Sequence, residues 1–214
     1  MSMQIPDFTK KYFTAFDEAI KAITVTDGAN NKIEFSHAMD TIVSQLKKMQ
    51  SQNKKLMMVG NGGSASICSH MSVDYWKNGN IKSTAFNDSS LLTTVSNDYS
   101  YAEVFSKTIE MFGEEGDMLY CISSSGKSAN VLNAADAAHS KKCNVITFSG
   151  FSEDNPLRKK GMINFHVPAM SYGYCEILHL FIIHAILDAK MFCDDDIDIF
   201  NANKKNTTAN MKGI

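Results

Sequence analysis

Two histidines and two carboxylates of this chain stand at helical spacing inside largely apolar stretches, a combination that can hold a divalent ion or pass protons. In "ICSHMSVDYW", His70 precedes Asp74 by four residues, so a helix puts both on one face. In "YCEILHLFIIHAIL", Glu176 and His184 are eight apart, which on a regular helix is roughly 80° of rotation and about 12 Å of rise. His179 flanks them. A carboxylate among Ile, Leu and Phe must be paired, protonated or bound to metal. Together His70, Asp74, Glu176 and His184 suit zinc or a related ion. They suit an acid and a base for proton transfer equally well, and spacing alone does not choose.

A second kind of chemistry lies in two loops. "GNGGS" (60–64) follows an apolar run and precedes a helical stretch. Its glycines permit a tight turn and close approach of a ligand, and Ser64 can cap the helix or touch a bound group. "SSSGKSAN" (123–130) occupies the same kind of position, with hydroxyls suited to phosphate oxygens. Neither is a P-loop or a dinucleotide fingerprint, because the required glycines are missing. Asn61, Gly62, Gly63 and Ser64 with Ser123, Ser124, Ser125 and Ser128 therefore read as a cradle for one small anion, a phosphate monoester. ATP and NAD have no support.

The elements that must position these groups follow from periodicity. Apolar residues at spacings of three and four predict helices over 7–23 and 32–50. Short apolar runs predict strands at "LMMVG", "DMLYCIS", "NVITFSG" and "INFHVPA", with "STAF" weaker. Helices fit between them at 64–76, 101–112 and 128–140, with a last one at 174–191. "TVTDGANN" reads as a break. Strands alternating with helices imply a parallel sheet of about five strands covered on both faces, with ligands at the carboxyl edge. The chain divides into an N-terminal helical segment (1–54), the α/β domain (55–192) and a polar tail (193–214).

Bulk properties narrow the classes. The chain has 214 residues, 44% hydrophobic and 21% charged, with a formal net charge of -2. That predicts no bulk attraction for nucleic acid or anionic membranes. Five cysteines without close pairing, and no apolar leader, predict a cytoplasmic protein with free thiols. No run reaches transmembrane length.

The order of "VGNGGSA", "VSNDYSYAEVFSKTIEMFGEEGDMLYCISSSGKSANVLNAADAAHSKK" and "VITFSG" resembles the sugar isomerase (SIS) domain superfamily, and within it the phosphoheptose isomerases. The resemblance runs to about Lys190. It implies a flavodoxin-like α/β core, with N-terminal helices that build a homotetramer and active sites at the subunit interfaces. It implies an aldose–ketose isomerase that interconverts sedoheptulose 7-phosphate and D-glycero-D-manno-heptose 7-phosphate. Carried over, Asp74 and His184 are the catalytic groups, and Asp98 faces substrate with the two loops. His70, Asp74, Glu176 and His184 are the ligands of a Zn²⁺ cofactor. Asp74 replaces the family's glutamate, Glu176 its glutamine and Ser124 its threonine, while "YWKNG" replaces "LTGR". These departures bear on sugar length and stereochemistry. The alternative within the superfamily is a non-catalytic regulatory protein like the relative that binds a replication initiator. Such proteins are degraded at the acid–base positions, which this chain retains.

Overall fold

The computed structural model describes residues 4–195. Its centre is a six-stranded sheet in the order β1-β6-β5-β4-β2-β3. The strands are β1 (Thr24–Asp27), β2 (Leu56–Gly60), β3 (Ser83–Ala85), β4 (Met118–Ser123), β5 (Asn144–Gly150) and β6 (Ile163–Val167). β2 to β6 run parallel, as the apolar runs imply, and "STA" is a strand. Taken alone, those five have the doubly wound order 2-1-3-4-5, whose switch point falls between β2 and β4. The two loops leave the carboxyl ends of those two strands.

The sheet is not wholly parallel. "TVTD", read as part of a break, is β1, an edge strand antiparallel to β6, with Thr24 opposite His166. Only its two central residues are buried, too few for an apolar run.

Helices α1 (Ile5–Lys21), α2 (Phe35–Ser51), α3 (Gly63–Lys77) and α7 (Tyr172–Asp195) cover one face. α5 (Ser106–Phe112) and α6 (Ala129–Ser140) cover the other, with α4 (Ser89–Asp98), an element the periodicity did not predict. Strand pleating sorts the core between the faces. Met118, Tyr120 and Ile122 of β4 belong to the α7 side, and Leu119 and Cys121 to the α6 side. α7 runs on through residues 193–195; the rest of the expected tail, from 196, lies outside the described residues.

α2 buries Ile42, Val43, Leu46 and Met49, the stripe its spacing predicts. α1 differs: Phe16 and Ile20 pack on the core, but Ile5, Phe8 and Phe13 are exposed.

Candidate active site

The two loops close one recess of about 220 Å³ at the switch point. Asn61, Gly62, Gly63 and Ser64 line one side, and Ser123, Ser124, Ser125 and Ser128 the other. Gly62 has φ 56° and Gly126 φ 62°, a region that suits glycine. The serine loop is held from several directions. Gly126 N–H donates to the Ser123 carbonyl at 2.9 Å, Gly150 N–H to the Ser124 carbonyl at 3.0 Å, and Leu157 N–H to the Gly126 carbonyl at 3.1 Å. The Ser123 and Ser128 hydroxyls are 3.2 Å apart.

Within this frame one hydroxyl has no partner, and one helix end has no side-chain cap. Ser124 Oγ is buried without a hydrogen-bond partner. Ser128 is the N-cap of α6, yet its side chain caps none of that helix's N–H groups. A helix N-terminus with free donors favours an anion. Among the described residues no Lys or Arg lines the recess, and the Glu176 carboxylate does, so neutral donors and helix ends would bind the anion.

Asn61 ties the loops together. Its amide and that of Asn130 exchange two hydrogen bonds of 2.9 Å, and Tyr101 Oη donates to Asn61 Oδ1 at 3.0 Å. Asn130 and Tyr101 are not among the residues expected in the site. Asn130 closes the "SSSGKSAN" stretch (123–130), which is a signal for it. Tyr172 also lines the recess and had no signal.

His70, Asp74 and His184 converge. One candidate ligand atom from each lies within 4.8 Å of the others. His70 Nε2 is 3.4 Å from Asp74 Oδ2, and the His70 and His184 rings are 5.5 Å apart. The neighbouring Tyr75 makes this possible. Fully buried, it donates from Oη to the Ile183 carbonyl at 3.2 Å and stands 3.3 Å from Tyr120 Oη. One hydroxyl thus clamps α3 to α7 beside Asp74 and His184. Burial raises the Tyr75 phenol well above its usual range, so it stays neutral.

Two expected members stand elsewhere. Glu176 does not join the three: its carboxylate packs against Gly63 and lines the recess. It sits two turns before His184, and its rotamer points toward the loop. Asp98 ends α4, exposed, and accepts from Asn97 Nδ2 at 3.0 Å. It does not line the recess. Conversely, Asp188, one turn after His184, belongs to the cluster's surroundings and was not expected there. Burial lifts its carboxyl above the ordinary range; His184 opposes the shift and Asp74 adds to it. His179 is a core residue. Its Nε2 is 3.0 Å from the Ser149 carbonyl, and burial pushes it down to about 4.

The donor set of two imidazoles and a carboxylate is one that catalytic zinc sites use, and the open geometry leaves room for a further ligand. The residues fit a divalent ion.

A family model described as the SIS domain matches residues 11–150. A phosphoheptose isomerase from Coxiella burnetii is 36% identical over 185 residues, covering 81% of this chain and 88% of that protein. One from Shewanella denitrificans is 31% identical over 175 residues, covering 76% and 89%. Among solved structures, a phosphoheptose isomerase from Neisseria gonorrhoeae superposes with a TM-score of 0.75 at 26% identity, covering 87% of this chain and 98% of that one. The chain belongs to the SIS-domain phosphoheptose isomerase family.

Proposed function

We propose that the protein interconverts an aldose and a ketose phosphate, sedoheptulose 7-phosphate and D-glycero-D-manno-heptose 7-phosphate being the pair its family resemblance favours. The supporting observation is that α3 and α7 each begin at the recess and carry the histidine–aspartate cluster further along. From Gly63 to His70 is about 10 Å along α3. A chain anchored by its phosphate in the recess would lay its carbonyl end at the cluster.

There, the proton on the carbon beside the carbonyl passes to one of Asp74 and His184. The other moves the hydroxyl proton, giving an enediol, and return of the proton to the neighbouring carbon completes the exchange. A divalent ion held by His70, Asp74 and His184 supplies Lewis-acid polarisation of oxygen. A carboxylate that held the ion through one oxygen would keep the second for a proton, whereas an imidazole that held it through one nitrogen would carry its proton on the other, so His184 would act as a base only when free of the ion. The assignment of Glu176 as a fourth ligand, like that of Zn²⁺, rests on the resemblance.

The same reading includes a homotetramer. Ile177, Phe181, His184 and Asp188 form one stripe of α7, and Ile177 and Phe181 are exposed, as are Val73 and Trp76 on α3. Apolar surface flanking the cluster suits cover by a second copy. A coupled isomerase assay over a panel of sugar phosphates tests the reading. Asp74→Asn and His184→Gln should each lose about a hundredfold or more in kcat. Turnover of no panel member, or variants as active as the parent, would reject it.

A further inference from the structure

Arg158 is the chain's one arginine among 21 Lys and Arg residues, and it lies outside both halves of the active site. It sits on the short 3-10 turn Pro156–Lys159 beside the antiparallel edge of the sheet, 4% exposed. Its guanidinium is incompletely engaged. Nη1 donates to the Glu153 carbonyl at 3.0 Å and faces Glu153 Oε1 at 3.3 Å; Nη2 donates to Thr24 Oγ1 at 3.1 Å. Nε–H is buried with no partner, and so is the hydroxyl of Thr26.

Both residues border a cleft of about 340 Å³, rimmed by Lys32 and Lys159. Neither lysine is in an ion pair among the described residues. The far wall is fixed: the Asp27 carboxylate accepts from the Ala29 and Asn31 N–H groups at 2.9 and 2.8 Å, shaping the tip that carries Lys32. Asp154, also at the rim, is engaged by the Ser152 hydroxyl.

A buried guanidinium with an idle donor is costly unless a partner completes it. Glu153 is a weak one, since its side chain is 75% exposed. It covers Arg158 from outside and can swing into solvent. We propose that the cleft binds a small oxyanion, a phosphoryl or carboxylate group of a soluble metabolite, which takes the place of Glu153 on Arg158. Opening on that side brings Nε–H and the Thr26 hydroxyl into reach, and Lys32 and Lys159 close over the charge. The planar donor fork of arginine is suited to such a group. The site is separate from the recess but adjoins its frame, because Leu157, next to Arg158, donates to Gly126 of the serine loop.

A single arginine makes the test direct. Protein labelled with ¹⁵N-arginine gives one Nε–H resonance. It is titrated with sodium phosphate and, in parallel, sodium acetate, at constant ionic strength. The expected result is a saturable shift. Lys32→Ala combined with Lys159→Ala should weaken the fitted constant about tenfold, the equivalent of one charge-assisted hydrogen bond. Glu153→Ala should tighten it, and Ser125→Ala with Ser128→Ala should leave it unchanged. Saturation by phosphate alone assigns a phosphoryl ligand; saturation by both assigns any oxyanion. No saturable shift with either probe would overturn the proposal on the unmodified chain alone. A shift abolished by the serine variant would overturn it too, by tracing the signal to the recess.

Discussion

Gly63 is the point at which the two halves of the site can be separated by one methyl group. A Cβ built there meets, as its three nearest atoms, the carboxyl group of Glu176 far inside normal contact. Gly63 is the first residue of α3 and does not have a positive φ, so alanine fits its backbone. The helix itself should gain up to about 1 kcal/mol from the exchange. The strain falls on a flexible side chain, which can move. Gly63→Ala should therefore fold as well as the parent, within about 1 kcal/mol, while Glu176 retreats from the recess by about 1 Å, and a misplacement of that size in a group that positions substrate can cost on the order of a hundredfold. The assay is kcat/KM with the phosphosugar for Gly63→Ala, Glu176→Ala and the double variant, with urea unfolding as the folding control. If the methyl acts through Glu176, the two substitutions are non-additive and the double variant resembles Glu176→Ala. Additive losses, or a Gly63→Ala enzyme with unchanged kcat/KM, would refute the placement of Glu176 as a working member of the site.

Other outcomes follow from the same structure. Chelation should abolish isomerase activity and Zn²⁺ should restore it, with affinity falling on acidification because the ligands bind deprotonated; full activity after verified demetallation would exclude a catalytic ion. His179 titrates near 4 in the fold against about 6.5 unfolded, so the unfolded state binds the extra proton between those values. Its contribution is complete above pH 6.5 and is lost as pH falls toward 4, about 2 kcal/mol at pH 5, and urea melts of His179→Gln should lack that slope. The Asp117 carboxylate, fully buried, accepts from Lys55 Nζ at 2.6 Å and from the Glu114 N–H at 2.9 Å, pinning β2 to β4 below the loops. Asp117→Ala should cost about 3 kcal/mol in denaturant unfolding, since it leaves the Lys55 charge and the N–H groups of Lys55 and Glu114 without their partner.

Periodicity carries far where a residue's role is set by its own segment. The strands β2, β4, β5 and β6 are apolar runs because both their faces are buried, and a run of that kind is visible without knowing what covers it. The strand β1 escapes the same reading. Its four polar-leaning residues are extended because β6 offers an open edge more than 130 positions along the chain. The three residues of the cluster were legible in part: spacing shows that His70 and Asp74 share a face, but their meeting with His184 depends on the crossing of α3 and α7, which Tyr75 Oη and the Ile183 carbonyl fix. The divergence of Glu176 is a rotamer, and no spacing rule contains it. Asp188 carries no signal of its own, because a carboxylate near the end of a long helix ordinarily faces water.

The two ends of the site are finished to different degrees within one chain, and that difference bears on how it works. The recess is complete: its serine loop is held by three backbone hydrogen bonds and its asparagine pair by two more. Its walls are fixed by the chain's own hydrogen bonds. The cluster is open. The His70 side chain is 56% exposed, and that of Asp74 20%. Proton transfer beside a carbonyl needs water kept from the enediol, and in high dielectric the cluster's charges act weakly on a developing oxyanion. Nothing in α3 or α7 can cover His70, because both helices are already committed to the core through Tyr75, Ile182 and Ile183. The apolar side chains beside it, Val73 and Trp76 on α3 and Phe181 on α7, are what a second copy would bury. Covering them would dry the cluster at the same time, so that assembly and activity would depend on one surface.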